Sequence, residues 1–232
     1  MKRIGLLLVG HIDPGSLHVG GDYPELYADI LGPQGIELTT YRCDEGGMPA
    51  SLTEQDGWMC SPSRLSVYED HGWLREVESM LREMVAREIP YVGICFGHQL
   101  MAQALGAEVS RADVGWGIGA KHYEIVERMP WMDSTDDVVL AASHQDQVKN
   151  LPDGARLIAR ADYCPIGGMA IGERAWTLQI HPEFTPSVAD SLLSTRLALF
   201  GEDKAQAARA TLSQGLQQAR VAGWISRFFH GC

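Results

Sequence analysis

The chain has 232 residues, enough for one domain with a small appendage, and its 45% apolar and 21% charged content is that of a folded globular protein rather than a disordered or collagen-like one. With 19 basic against 30 acidic residues the net charge is -11, which repels phosphate backbones; Lys2-Arg3 is the densest basic pair, and nucleic acid is not an expected partner. The longest early apolar run, residues 4–9, falls far short of the roughly 20 residues that span a bilayer and is followed by no small-residue cleavage pattern, so a cytoplasmic protein with no membrane partner is expected.

In chain order, short β-rich runs recur at residues 4–9, 36–41, 58–60 and 91–94, separated by stretches long enough for crossover helices. The clearest helix is expected over 73–87, where Leu74, Val77, Leu81 and Met84 repeat at spacings of three and four. Short apolar strands alternating with helices indicate an α/β fold with a mainly parallel central sheet and helices on both faces. Residues 106–171 change character, being rich in glycine and short β-like pieces (123–126, 138–141 and 157–159), and predict antiparallel strands added to that sheet. A last strand is expected at 176–180. Beyond Phe184 the pattern is helical: Pro186 opens one helix, and 205–229 reads as another with Ala208, Leu212, Leu216 and Ala219 as its stripe, although Gly215 and Gly223 weaken it. These features divide the chain into a catalytic domain at 1–190 and a helical extension at 191–232 packed on it, the extension carrying no chemical motif.

In open parallel sheets ligands bind beyond the carboxyl ends of the strands, so the residues that follow each strand are the informative ones. The sequence Gly93-Ile94-Cys95-Phe96-Gly97-His98-Gln99 places Cys95 on the turn between the strand ending at Ile94 and a helix opening near Gly97. Glycines two positions either side permit a sharp turn and close packing, as in a nucleophile elbow with cysteine in the middle. Amide dipoles at the helix start favour the thiolate, and the Phe96 N–H is free to face a developing oxyanion. The other four cysteines (Cys43, Cys60, Cys164, Cys232) have no such frame, and the odd set without C-x-x-C spacing argues against disulfides and structural zinc.

A thiolate nucleophile needs an acid/base partner. His181 directly follows the strand at 176–180, and Glu183 lies two residues on, with Pro182 stiffening the bend so that the carboxylate can orient the imidazole. His98, at the helix start, reads as a packing or capping residue. Glu69-Asp70-His71 reads as solvated loop charges, and no cluster has metal-ligand spacing.

These residues resemble the class I glutamine amidotransferase superfamily. The resemblance rests on G-I-C-F-G-H-Q at 93–99, L-Q-I-H-P-E at 178–183 and S-H-Q-D-Q-V at 143–148, and covers roughly residues 4–184; the last motif is similar to stand-alone relatives of the glutaminase part of GMP synthase. It implies a flavodoxin-like fold and a Cys-His-Glu triad that hydrolyses the side-chain amide of glutamine through a γ-glutamyl thioester, releasing ammonia. On that basis Cys95 is the nucleophile, His181 the acid/base and Glu183 its orienter; Phe96 N–H is one oxyanion donor; and Gln99, with Ser143, His144 and Gln145, holds the substrate's amino-acid end. His144 and Asp146 have a structural alternative, satisfying each other's loop hydrogen bonds. The family's second oxyanion donor comes from a glycine-rich loop, which here reads C-S-P-S-R-L-S-V-Y at 60–68 without glycine; Pro62 has no N–H, which leaves Ser63 N–H.

The resemblance calls for no cofactor and no metal. The implied partners are glutamine or a γ-glutamyl compound and, for a glutaminase, a separate synthetase subunit that receives the ammonia. Two further readings stand beside the glutaminase: a γ-glutamyl hydrolase or peptidase using the same triad, and a silent binding or regulatory module of the same fold. A cysteine hydrolase or chaperone of related elbow-bearing folds is disfavoured, because those place histidine beside the nucleophile and lack His-Pro-Glu.

Overall fold

The computed structural model describes residues 1–232 and contains eleven strands: β1 (Lys2–Leu8), β2 (Ile36–Arg42), β3 (Gly57–Cys60), β4 (Tyr91–Ile94), β5 (Val109–Arg111), β6 (Gly117–Ile125), β7 (Val138–His144), β8 (Asp146–Val148), β9 (Ala155–Ala161), β10 (Cys164–Ile171) and β11 (Ala175–Leu178). Nine of them form one sheet in the order β2-β1-β3-β4-β11-β10-β9-β6-β7, while β5 and β8 form a separate antiparallel pair. The first five strands in that order are parallel and the remaining neighbours antiparallel, which is the mixed sheet expected from the sequence.

Alternation along the central strands builds a core on each face. Ile4, Leu6 and Leu8 of β1 join one apolar cluster, Leu7 and Val9 the other. The first cluster is covered by α2 (Tyr23–Leu31), α5 (Pro186–Thr195) and α8 (Gln218–Gly231), the second by α3 (Gly72–Ala86) and α4 (Phe96–Ala104). The expected stripe of α3 is buried at all four positions, Leu74, Val77, Leu81 and Met84. A short α1 (Leu17–Gly20) precedes α2, and α6 (Leu197–Phe200) and α7 (Glu202–Thr211) follow α5. No helix is long and apolar enough to cross a membrane.

The helix expected over 205–229 is two. α7 ends at Thr211, a 3-10 turn spans Leu212–Gln214, and Gly215 takes φ 83°, a left-handed conformation that no helix interior accepts and that glycine alone adopts without steric cost. α8 then turns a different stripe inward: Val221, Ala222, Trp224, Ile225, Phe228 and Phe229 are buried, whereas Ala219 is exposed. Two strand ends also differ. β7 runs on to His144, and β11 stops at Leu178: Gln179 N–H still bonds Gly167 O of β10 (2.9 Å), in register with the Gly168–Leu178 pair, but His181 N–H turns to Ala141 O of β7 (2.9 Å). That change of partner carries the His181–Glu183 segment off β10 and onto β7.

Candidate active site

The site begins at the β4–α4 junction. Cys95 has φ 52° and ψ -99°, one of two non-glycine residues with positive φ in the chain, a strained conformation that turns the backbone sharply. Its amide stays tied to the sheet through Leu178 O (2.8 Å), and its carbonyl accepts from Gln99 N–H (3.0 Å), so α4 starts at Phe96, one residue earlier than expected. The two flanking glycines are required by contact: a β-carbon on Gly93 would lie 2.5 Å from Gly97 O, and one on Gly97 would lie 2.8 Å from Cys60 O. As the first residue of α4, Phe96 presents an amide with no intrahelical acceptor.

From the neighbouring strand comes the histidine. His181 and Glu183 are buried, and Nδ1 of the imidazole stands 2.7 Å from Oε1 of the carboxylate. Phe184 stacks flat on the His181 ring, with centroids 4.0 Å apart and planes 4° apart. Nε2 has no hydrogen-bond partner in the protein. Burial disfavours the charged imidazole, but the Glu183 carboxylate and the Cys95 sulfur outweigh it, holding the pKa of His181 well above the usual histidine range. Gln179, two residues before His181, donates from Nε2 to Cys95 Sγ at 3.4 Å, while its Oε1 accepts from Gln99 Nε2 at 3.0 Å.

Cys95 opens onto a cavity of about 300 Å³. Ser63, Gln99, Ser143, His144 and Gln145 line it as well, so the structure brings these sequence-derived candidates to one place; Phe96, His181 and Glu183 stand behind its wall. Their surroundings differ. Gln99 Nε2 is already engaged, donating to Asp146 O (2.7 Å) as well as to Gln179. His144 is buried, with Nδ1 3.2 Å from Asp146 O and Nε2 3.4 Å from the Tyr163 hydroxyl; burial pushes its pKa down to about 3, so it stays neutral. Ser143 Oγ accepts from Arg196 Nη1 (3.3 Å), and the Gln145 carbonyl accepts from Ala112 N–H (2.9 Å). The Ser63 backbone packs so tightly on Gly10 that a β-carbon there would lie 2.8 Å from Ser63 Cα, which replaces internal glycine as the constraint on this loop. Ser66 donates to Asp146 Oδ2 (2.5 Å), fastening the loop to the far wall of the cavity.

Three features escape a reading of the sequence alone. Gln179 sits inside the L-Q-I-H-P-E motif, but its contact with Cys95 depends on β11 lying beside β4, with Leu178 opposite Ile94. Glu69 is not merely a solvated charge: its Oε1 accepts from Ser66 N–H (2.7 Å) at the cavity edge. Arg196, in the tail expected to hold no chemistry, lines the cavity from the end of α5 while nine-tenths buried. No spacing signal marks it. His98 packs as expected, with Nδ1 2.7 Å from Thr177 Oγ1 and Nε2 3.1 Å from Ile166 O, and burial lowers its pKa to about 4.

A cysteine on a strained strand–helix turn, faced by a carboxylate-braced histidine from the adjacent parallel strand, defines the class as α/β proteins with a nucleophile-elbow cysteine. Within it, residues 19–198 match the family profile described as Glutamine amidotransferase class-I, and the chain belongs to that family. Gamma-glutamyl peptidase 3 of Arabidopsis thaliana is 25% identical over 222 residues, 91% of this chain and 89% of that protein. A glutamine-hydrolyzing GMP synthase subunit of Archaeoglobus fulgidus is 36% identical over 108 residues, 46% of this chain and 57% of that protein. Among solved structures, a glutamine amidotransferase from Thermotoga maritima superposes with a TM-score of 0.79 over 99% of this chain and 97% of its own at 21% identity, a likeness of fold.

Proposed function

We propose that the protein is a cysteine amidohydrolase that cleaves the side-chain amide of a γ-glutamyl group through a γ-glutamyl thioester. The observation that carries this reading is the pairing of Cys95 on its strained turn with a buried His181 whose Nδ1 is taken by Glu183 and whose Nε2 is unoccupied. In the first step the Cys95 thiolate attacks the amide carbon. The tetrahedral oxyanion is received by Phe96 N–H and Ser63 N–H. His181 gives its proton to the leaving nitrogen, the C–N bond breaks, and ammonia or an amine departs. In the second step His181 takes a proton from water, the hydroxide attacks the thioester, and glutamate leaves with the sulfur regenerated as thiolate. Glu183 holds the imidazole in orientation and stabilises its charged form throughout.

Two substrate readings share this chemistry. With glutamine, the product is ammonia for a separate synthetase subunit. With a γ-glutamyl amine or peptide, the product is that amine. A relative named as a gamma-glutamyl peptidase aligns over 91% of the chain, whereas the GMP synthase relative aligns over 46%, which favours the second. The test is a panel of glutamine, γ-glutamyl amines and γ-glutamyl dipeptides, assayed for ammonia, amine and glutamate, with mass spectrometry for a thioester adduct on Cys95. Turnover with an adduct of one glutamyl group is expected. Binding without turnover of any member identifies a silent module instead.

A further inference from the structure

One wall of the cavity is not used by the chemistry above. Arg196 lies between α5 and α6 with a side chain only 9% exposed, and it faces the cavity that holds Cys95. Its Nη1 donates to Ser143 Oγ at 3.3 Å, but its Nε has no hydrogen-bond partner, and the nearest carboxylate oxygen, Asp13 Oδ2, is 4.0 Å away. That carboxylate is shared with Arg64 Nη1 at 3.4 Å, so one anion stands against two guanidinium groups, and both arginines line the cavity. Arg111 is a third cation lining the cavity, on the Asp146 side, where β5 pairs with β8. The two carboxylates that line the cavity are committed elsewhere: Asp146 to the Ser66 and Tyr68 hydroxyls, Glu69 to Ser66 N–H. A buried guanidinium with an unsatisfied N–H beside an open cavity is costly unless an anion completes it.

Its position relative to the reaction follows from β7. Arg196 Nη1 donates to Ser143 Oγ (3.3 Å), two residues along β7 from Ala141, whose carbonyl accepts from His181 N–H (2.9 Å). Arg196 therefore belongs to the His181 side of the sulfur, where the leaving nitrogen must be protonated, and away from Gln99, which closes the opposite side through Asp146 O and Gln179.

We infer that Arg196, assisted by Arg64, is a specificity residue that binds a carboxylate on the leaving amine, so that the preferred substrate is a γ-glutamyl peptide with a free C-terminal carboxylate. This rests on the proposed γ-glutamyl amide hydrolysis and names its leaving group. Arg offers a planar fork that matches a carboxylate bidentately, and such charge-assisted bonds are roughly twice as strong as neutral ones.

The experiment compares kcat/KM for γ-glutamyl-glycine and γ-glutamyl-alanyl-glycine, each as the free acid and as the C-terminal amide, together with glutamine. The wild-type protein is expected to prefer the acid over the amide by about tenfold or more in at least one pair, and Arg196→Gln is expected to bring that ratio close to one. Arg196→Lys, which keeps the charge but not the fork, is expected to narrow it part-way; this variant decides the matter if Arg196→Gln does not fold. An acid preference absent from the wild type, a ratio unchanged in either variant, or equal losses on acid and amide overturns the assignment. Cleavage of glutamine alone overturns it while leaving the amidohydrolase reading intact. Failure to cleave any of the five compounds removes that reading, and this assignment with it.

Discussion

The His181 imidazole is held on three sides and open on the fourth. Glu183 Oε1 takes Nδ1 at 2.7 Å, Phe184 covers one ring face at 4.0 Å, and His181 N–H anchors the backbone to Ala141 O, yet Nε2 is unpartnered in a residue only 2% exposed. Buried polar atoms almost always have partners, so an orphan at this position, beside a cysteine on a strained turn, supports the acid/base role proposed for it. The i, i+2 spacing about Pro182 is what allows one bend to carry both side chains.

Removing members of this arrangement is expected to separate by role. Cys95→Ala or Cys95→Ser abolishes turnover with little loss of stability, since the side chain is small and faces the cavity. His181→Ala is expected to cost more than Glu183→Gln, because in the proposed mechanism one transfers the proton and the other orients it; positioned acid/base groups are worth about 10²–10⁴-fold, and the Glu183 change is expected toward the lower end. Steady-state kinetics with urea unfolding of each variant is the check. Undiminished turnover in Cys95→Ser removes the nucleophile assignment.

The turn itself is as testable as the sulfur. Gly93→Ala places a methyl group 2.5 Å from Gly97 O, and neither atom is the end of a flexible side chain. Overpacking of this kind costs about 1–3 kcal/mol, and relief must come from moving α4 away from β4. Both a lower urea midpoint and a loss of activity exceeding the stability loss are expected. A fully active, fully stable Gly93→Ala protein contradicts the role assigned to the close approach.

The parallel strands, the two-sided helix cover and the elbow are legible in the sequence because each is written in local terms: short apolar runs, the 3–4 spacing of Leu74 to Met84, and glycines flanking Cys95. The rest depends on where distant segments meet. Gln179 approaches Cys95 because β11 and β4 pair in parallel with Leu178 opposite Ile94, and Arg196 reaches the cavity because α5 packs beside the turn that holds Asp13 and Ser16. The break at Gly215 is hidden for a different reason: helical periodicity continues on both sides of it, but in two phases, and only the left-handed φ of that glycine separates them.

The helical extension is expected to be inseparable from the rest. Phe228 stacks edge-on against Trp131 at 4.9 Å and Trp176 at 6.2 Å, and the whole α8 stripe belongs to the same apolar cluster as β1 and β4. Phe228→Ala removes a large side chain from that cluster, a change that costs about 3–5 kcal/mol in other cores. Equilibrium unfolding should show one cooperative transition at a lower midpoint; a separate early transition confined to the tail would mark it as an independent unit.

Three buried histidines give stability a defined dependence on pH. Burial lowers His98 to about 4 and His144 to about 3, so between these values and the ordinary 6.5 the unfolded chain binds protons that the folded chain refuses. Stability therefore falls as the solution is acidified from pH 6.5, on the order of 1.4 kcal/mol per pH unit for each histidine until its folded pKa is reached. His181 has the opposite sign. Its raised pKa stabilises the fold fully below 6.5, and that contribution is lost as pH rises toward the folded value. The two slopes meet near neutrality, which places maximum stability there as far as these groups are concerned. Urea titrations at pH 4.5, 6.5 and 8.5 measure both limbs, and His98→Gln, which retains a donor toward Ile166 O but cannot titrate, is expected to flatten the acid limb and leave the alkaline one. An acid limb equally steep in His98→Gln would show that this imidazole is not among the groups responsible for it.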